Sequence, residues 1–163
     1  MKDTINKEAI IIDIDGTLMN INHRRRETPD GKFDWDYFNN ISHIARDRPN
    51  NWCVEILKRF IHSYMADYED PNLIFVSGRK EKLRDITLSQ IKNAINGTED
   101  DGVQLFMRKD GDNRKDSTVK SEIYHEHIKD KYNVLFVIDD RQQVVDMWRE
   151  LGLTALQCDK GDF

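Results

Sequence analysis

Asp13 and Asp15 flank one isoleucine where an apolar run ends in Asp-Gly-Thr, and a second acidic pair, Asp139-Asp140, closes another apolar run near the C-terminus. Spacing of two along an extended segment puts Asp13 and Asp15 on one side of the chain. Clustered carboxylate pairs repel one another unless a cation sits between them, and hard oxygen ligands of this kind suit Mg²⁺. Such an ion draws a phosphate oxygen into the site and offsets the charge of the carboxylates. A carboxylate held there can attack phosphorus to form an aspartyl-phosphate, while its neighbour protonates the leaving oxygen and later activates water. Gly16 lets the backbone approach a phosphate closely, and Thr17 and Ser77 offer hydroxyl donors. Lys120 can neutralise charge that develops during transfer.

Each piece has an ordinary alternative. An isolated Asp-x-Asp is common, Asp139-Asp140 can cap a helix, Lys120 can be a solvated helix lysine, and Ser77 a turn residue. His125 and His127, two apart on a helix, face different ways and read as surface residues. What raises the set above its parts is that its members follow successive predicted strands. Short runs rich in Ile, Val and Phe alternate with helix-period segments, the pattern of an α/β domain with a central, mostly parallel sheet. Strands are expected at Ala9 to Ile14, Leu73 to Ser77 (broken by Gly78), Val103 to Met107, Val134 to Ile138 and Thr154 to Gln157. They are continuously apolar, so both faces should be covered. Helices are expected over Asn51 to Tyr68, Lys80 to Ile95, Ser117 to Tyr132, with Lys120 near its start, and Arg141 to Leu151. Asp13, Asp15, the Ser77-Gly78-Arg79 triplet and Asp139-Asp140 then share the C-terminal rim of the sheet, where ligands bind in open α/β folds.

Residues 19–48 break the alternation. This insertion holds Arg24, Arg25 and Arg26 and an aromatic group of Phe33, Trp35, Tyr37 and Phe38. Segments this long without strong periodicity are usually functional or disordered, and the aromatics argue against disorder.

The order IIIDIDGTL, FVSGR, a lysine and VIDD resembles the haloacid dehalogenase (HAD) superfamily of phosphohydrolases over essentially the whole chain. The resemblance implies a Rossmann-like three-layer fold, with Asp13 as nucleophile, Asp15 as general acid/base, and Ser77 and Lys120 as phosphate-binding groups. It also implies Mg²⁺ held by Asp13, the carbonyl of Asp15, and Asp139-Asp140. The family's dehalogenases lack the second Asp of the first motif, so Asp15 favours a phosphatase. Toward the C-terminus, GDNRKDSTVKSEIYHEHI, VIDDRQQVVDMWRELGL and GDF resemble the 3′-phosphatase domain of the T-even-type bacteriophage polynucleotide kinase/phosphatases. That likeness adds Arg24, Arg79 and Asp116 to the phosphate site. The kinase signature GxxxxGK[ST] does not occur in the sequence.

The chain has 163 residues, 38% apolar and 34% charged, which suits one domain spanning 1–163 with a real core. HAD enzymes for small metabolites usually carry a cap domain. The stretch from Lys80 to Val119 accommodates only a helix, a strand and a loop, and residues 19–48 are enough for a flap but not a full cap. An open rim suits a phosphate at the end of a polymer, so the expected substrate is a 3′-phosphorylated DNA or RNA end. His23 to Arg26, Arg108-Lys109 and Arg114-Lys115 then offer cationic footing, and the insertion's aromatics a stacking surface. The alternative is that the arginine run, Arg24 apart, is merely solvated and the aromatics pack the insertion onto the domain. A flap closing over a free nucleotide is the alternative within enzymes. A receiver-like signalling domain is a remote alternative, because its phospho-accepting Asp normally lies on the third strand and its acidic pair after the first. The net charge of −5 argues against coating nucleic acid, though not against gripping one phosphorylated end. No apolar run is long enough to span a membrane, and the polar N-terminus lacks a signal peptide, so the cytosol is expected, a host's if the gene belongs to a phage. Cys53 and Cys158 are then a reduced pair.

Overall fold

The computed structural model describes residues 7–61, 71–96 and 103–161. Five parallel strands form the sheet: β1 (Glu8–Ile12), β4 (Asn72–Lys80), β5 (Gln104–Arg108), β6 (Asn133–Asp139) and β7 (Ala155–Gln157). Their spatial order is β5-β4-β1-β6-β7, which puts β1 at the centre. From β1 the chain builds outward on one side and then returns to pair β6 on the other. The C-terminal edge beside β1 is therefore the switch point where such sheets open a crevice.

Alternation along β1 explains the two-sided core. Ile10 and Ile12 face the layer of α3 (Asn51–Ile61) and α4 (Arg84–Ile95), where they pack with Leu57 and Ile91. Ala9 and Ile11 face the layer of α5 (Asp116–Ile123) and α6 (Gln142–Glu150), packing with Val119, Val144 and Trp148. The expected three-layer α/β architecture is thus the observed one, with every pairing within the central sheet parallel among the described residues.

The boundaries move for physical reasons. β1 ends at Ile12 because Asp13 and Ile14 enter a turn: the Leu18 and Met19 amides donate to their carbonyls. β4 does not stop at Gly78; it runs on to Lys80 with a register shift against β5. α4 begins after a 3-10 turn at Glu81–Leu83. The helix expected over Ser117 to Tyr132 begins at Asp116 and passes at Tyr124 into a π turn that ends at Ile128. The C-terminal part of the helix expected to reach Tyr68 lies outside the described residues.

Residues 19–48 are ordered. A two-residue antiparallel ribbon, β2 (Met19–Asn20) against β3 (Arg48–Pro49), closes the base of the insertion. Two single-turn helices follow one another within it, α1 (Trp35–Phe38) and α2 (Ile41–Ile44). Ile21, Phe38 and Ile44 are buried in the core beside α3, so the insertion is anchored to the domain instead of hanging from it. Cys53 and Cys158 are free thiols, and His127 stacks on Phe106 at 4.8 Å. No helix among the described residues is long and apolar enough to cross a membrane.

Candidate active site

The ends of β1, β4 and β6 open onto a cavity of about 730 Å³ that Asp13, Asp15, Arg79, Lys120 and Asp140 line. Lys120 is the fifth residue of α5, one position further in than a start at Ser117 implies, and its side chain reaches the ends of β1 and β6. Its ammonium is buried and donates to Asp13 Oδ1 at 2.6 Å and Asp139 Oδ2 at 2.9 Å, with Asp116 Oδ2 at 3.5 Å. Burial works against the charged amine, but Asp116, Asp13 and Asp139 outweigh it and hold Lys120 well above the usual lysine range. It is the fixed cation of the site.

Asp13, Asp139 and Asp140 are all buried, and each offers one carboxylate oxygen within 4.8 Å of the others. Trp148 Nε1 donates to Asp139 Oδ2 at 3.4 Å, and the Arg141 amide to Asp139 Oδ1 at 3.2 Å. Burial and the neighbouring Asp139 and Asp140 push the Asp13 carboxyl up, against the pull of Lys120. The same causes, burial and then Asp139, push Asp140 up to about 7. Three carboxylates share too little positive charge here, and the donor set is purely hard oxygen, which fits a divalent cation such as Mg²⁺.

Over residues 7–163 the chain matches the family described as the polynucleotide kinase PNKP phosphatase domain. The chain belongs to that family. It is a phosphatase. A relative from Autographa californica nuclear polyhedrosis virus, assigned as a bifunctional polynucleotide kinase/RNA ligase, is 29% identical over 148 residues, 91% of this chain and 19% of that protein. A solved Pnkp1/Rnl/Hen1 RNA repair complex contains a chain 35% identical, with a TM-score of 0.74, covering 100% of this chain and 46% of that one. A second Pnkp1/Rnl/Hen1 structure gives 35% identity, a TM-score of 0.73 and coverage of 100% and 50%. This chain therefore spans about a fifth of its viral relative and about half of its structural ones.

Asp15 of the phosphatase turns away from the three-carboxylate cluster, which leaves only its carbonyl for the ligand role that the resemblance implies. Its Oδ1 accepts from Arg79 Nε at 3.0 Å and from the Arg79 NH2 nitrogen at 2.6 Å, and a further short bond comes from Arg24. Burial alone would raise Asp15; Arg79 and Arg24 overcome it and hold the carboxyl at about 2. The two arginines are themselves buried and converge on a second carboxylate that sequence reasoning missed. Asp47 accepts from Arg24 at 2.8 and 3.0 Å and from Arg79 at 2.8 Å. Arg24 spends its remaining bond on the Phe38 carbonyl, and Arg79 reaches Thr87 and Gln90 on α4. That explains the buried polar Thr87, a weak helix former on an otherwise inward face. Placed at carboxylates, both arginines act first on Asp15.

The other expected residues sort by place. Asp116 accepts from Arg108 at 3.1 Å and stands beside Lys120 and Arg141. Gly78 is where Asp116 fits: a Cβ there would lie 2.3 Å from Asp116 Oδ1. Gly16 has φ +90°, and a Cβ on it would lie 2.2 Å from Asp140 Oδ2, so its glycine character serves the acidic cluster. Thr17 and Ser77 are buried and do not line the cavity. The Thr17 hydroxyl is 3.5 Å from Cys158 Sγ, and Ser77 Oγ accepts from the Arg79 amide at 3.2 Å. The arginine run is no free cationic patch: Arg24 is buried, Arg25 faces Asp140, and Arg26 pairs with Asp34 and covers the Tyr37 ring. Arg108 is likewise turned inward, and Arg114 is held by Asp112 and Glu122. Lys80, Lys82 and Lys115 line the cavity wall together with Arg108 and Arg114.

The Gly78 contact sets a test. Gly78→Ala should destabilise the domain by about 1–3 kcal/mol through overpacking and lower kcat, because Asp116 must move and Lys120 with it. A thermal melt and a phosphatase assay on the same preparation check both halves, and a wild-type result in both removes the packing argument.

Proposed function

We propose that this phosphatase removes 3′-phosphate from the ends of DNA or RNA strands with the help of Mg²⁺. The supporting observation is the uncapped cavity: the reactive carboxylates sit at its floor, while Lys80, Lys82 and Lys115 stand on its wall, placed for a phosphodiester backbone leading outward. The association of its relatives with polynucleotide kinases and RNA repair favours the same substrate class.

Asp13, Asp139 and Asp140 would hold the cation, which supplies a Lewis acid that polarises a phosphate oxygen and offsets the negative charge of the cluster. Asp13 attacks phosphorus through a carboxylate oxygen, and the bond from phosphorus to the 3′ oxygen breaks. Asp15 gives its proton to that oxygen. Ionised as it stands between Arg24 and Arg79, it takes this proton from solvent water as a phosphate dianion enters beside it, since adjacent negative charges raise a carboxyl pKa. Deprotonated again, Asp15 takes a proton from water, which attacks the aspartyl-phosphate, releases inorganic phosphate and restores Asp13. Lys120 stays charged throughout, bonded to Asp13, and stabilises the transferring group.

A substrate panel tests the reading. Oligonucleotides with a 3′-phosphate should be hydrolysed faster than those with a 5′-phosphate or than mononucleotides, and chelation of divalent cations should stop the reaction. Rising salt should weaken action on the oligonucleotide steeply and on a mononucleotide far less. Preference for 5′ ends would overturn the substrate assignment, and equal rates on mononucleotides would favour a closing flap.

A further inference from the structure

Four aromatic residues stand in the 19–48 insertion, and three have structural work. Phe38 is buried in the core, Phe33 packs against it at 5.1 Å, and Tyr37 is sandwiched between the Arg26 guanidinium at 3.6 Å and the His43 ring at 3.8 Å. Trp35 is different. It is 49% exposed, and of the large apolar side chains left exposed among the described residues it is the one that lines the catalytic cavity.

The exposed ring is nonetheless held in place. Phe33 meets it at 4.6 Å and Phe38 edge-on at 5.8 Å. The helical turn that carries it is capped by Asp34, which accepts from the Tyr37 amide at 2.9 Å and is anchored to Arg26 at 2.7 Å. On the cavity side the Arg141 guanidinium lies 5.9 Å from the ring centroid, and the Arg141 amide bonds Asp139 of the acidic cluster. An indole fixed at its base, half-exposed to a polar cavity and approached there by a guanidinium 5.9 Å from its centroid, is a stacking platform, and flat aromatic ligands are what such a surface takes.

We infer that Trp35 stacks on the nucleobase of the 3′-terminal nucleotide while its phosphate sits at Asp13, so that the insertion distinguishes a nucleotide end from a simple phosphate ester. The inference rests on the polynucleotide 3′-phosphatase reading. Every base has a π-face, so the contact favours a nucleotide over a base-free sugar without choosing strongly among the four bases. Stacking is a binding contact remote from the bond that breaks, so its loss raises KM and leaves kcat largely in place.

The test compares two oligonucleotides identical except that the 3′-phosphorylated terminal sugar bears a base in one and none in the other. Wild type should prefer the base-bearing end by roughly five- to a hundredfold in kcat/KM. In Trp35→Ala that preference should collapse to about twofold or less, with the loss in KM, and Trp35→Phe should keep an intermediate preference. An unchanged preference in Trp35→Ala, or an equal fall on both substrates, overturns the stacking role while the 3′-phosphatase reading stands. Failure of the wild type to hydrolyse either 3′-phosphorylated end overturns that reading and the stacking role with it.

Discussion

Asp13→Asn should lower kcat by roughly a thousandfold or more without unfolding the domain. The amide is nearly isosteric with the carboxylate, so the buried site keeps its shape, and its oxygen can still accept from Lys120, which now bonds Asp13 at 2.6 Å. What disappears is the nucleophile, for which an amide oxygen is no substitute. The substitution also removes one of three crowded negative charges, and burial already pushes the Asp13 carboxyl toward its neutral form. The melting temperature should therefore stay level or rise. Activity and a thermal melt on the purified variant measure the two effects separately. Activity within tenfold of wild type would remove Asp13 from the nucleophile's role, whereas loss of activity together with loss of fold would leave the mechanism without support from this variant, and Asp13→Ser then separates the two by shortening the side chain.

The catalytic frame was legible because it sits where strand patterns end. Continuous runs such as Ala9–Ile12 and Val134–Ile138 read as strands, and Asp13, Asp15, Ser77 and Asp139 stand at or just beyond the ends of such runs, so topology brings them to one edge. Lys120 was legible in identity and nearly in place, because the helix expected from Ser117 begins one residue earlier, at Asp116. The hydroxyls were less legible, since no sequence pattern tells which way a Thr or Ser at a strand end turns: the Thr17 hydroxyl lies beside Cys158 Sγ, and Ser77 Oγ accepts from the Arg79 amide. Charge misled most. Arg24, Arg25 and Arg26 look like a basic patch in sequence, but their partners Asp15, Asp47, Asp140 and Asp34 lie 8 to 115 positions away along the chain, beyond any local pattern. Asp47 gave no motif of its own. The signal available for it was indirect: arginines expected at a buried site each need a carboxylate, and Asp15 alone is too few for two of them.

That reasoning makes Asp47 the place where a single change should cost the most stability. Its side chain is fully enclosed, with both oxygens taken by Arg24 and Arg79. Asp47→Ala leaves two buried guanidinium groups sharing one counter-ion, and breaking a buried pair in this way costs about 3–5 kcal/mol. Activity should fall as well, by roughly a hundredfold, because the arginines that aim Asp15 lose their second anchor. The carboxylate is itself held at a cost: burial pushes the Asp47 pKa up, against the pull of Arg24. The network is then better explained by the geometry it imposes on Asp15 than by net stability, and the two explanations separate in one experiment. Replacing Arg24 by Met and Asp47 by Leu together removes both buried charges, and it should recover much of the stability lost in Asp47→Ala. It should not recover turnover, since Asp15 would have lost one of its two guanidinium partners. Recovery of both would reduce Arg24 and Asp47 to a structural pair, and a wild-type melt for Asp47→Ala would show that Asp15 alone suffices to hold the two arginines.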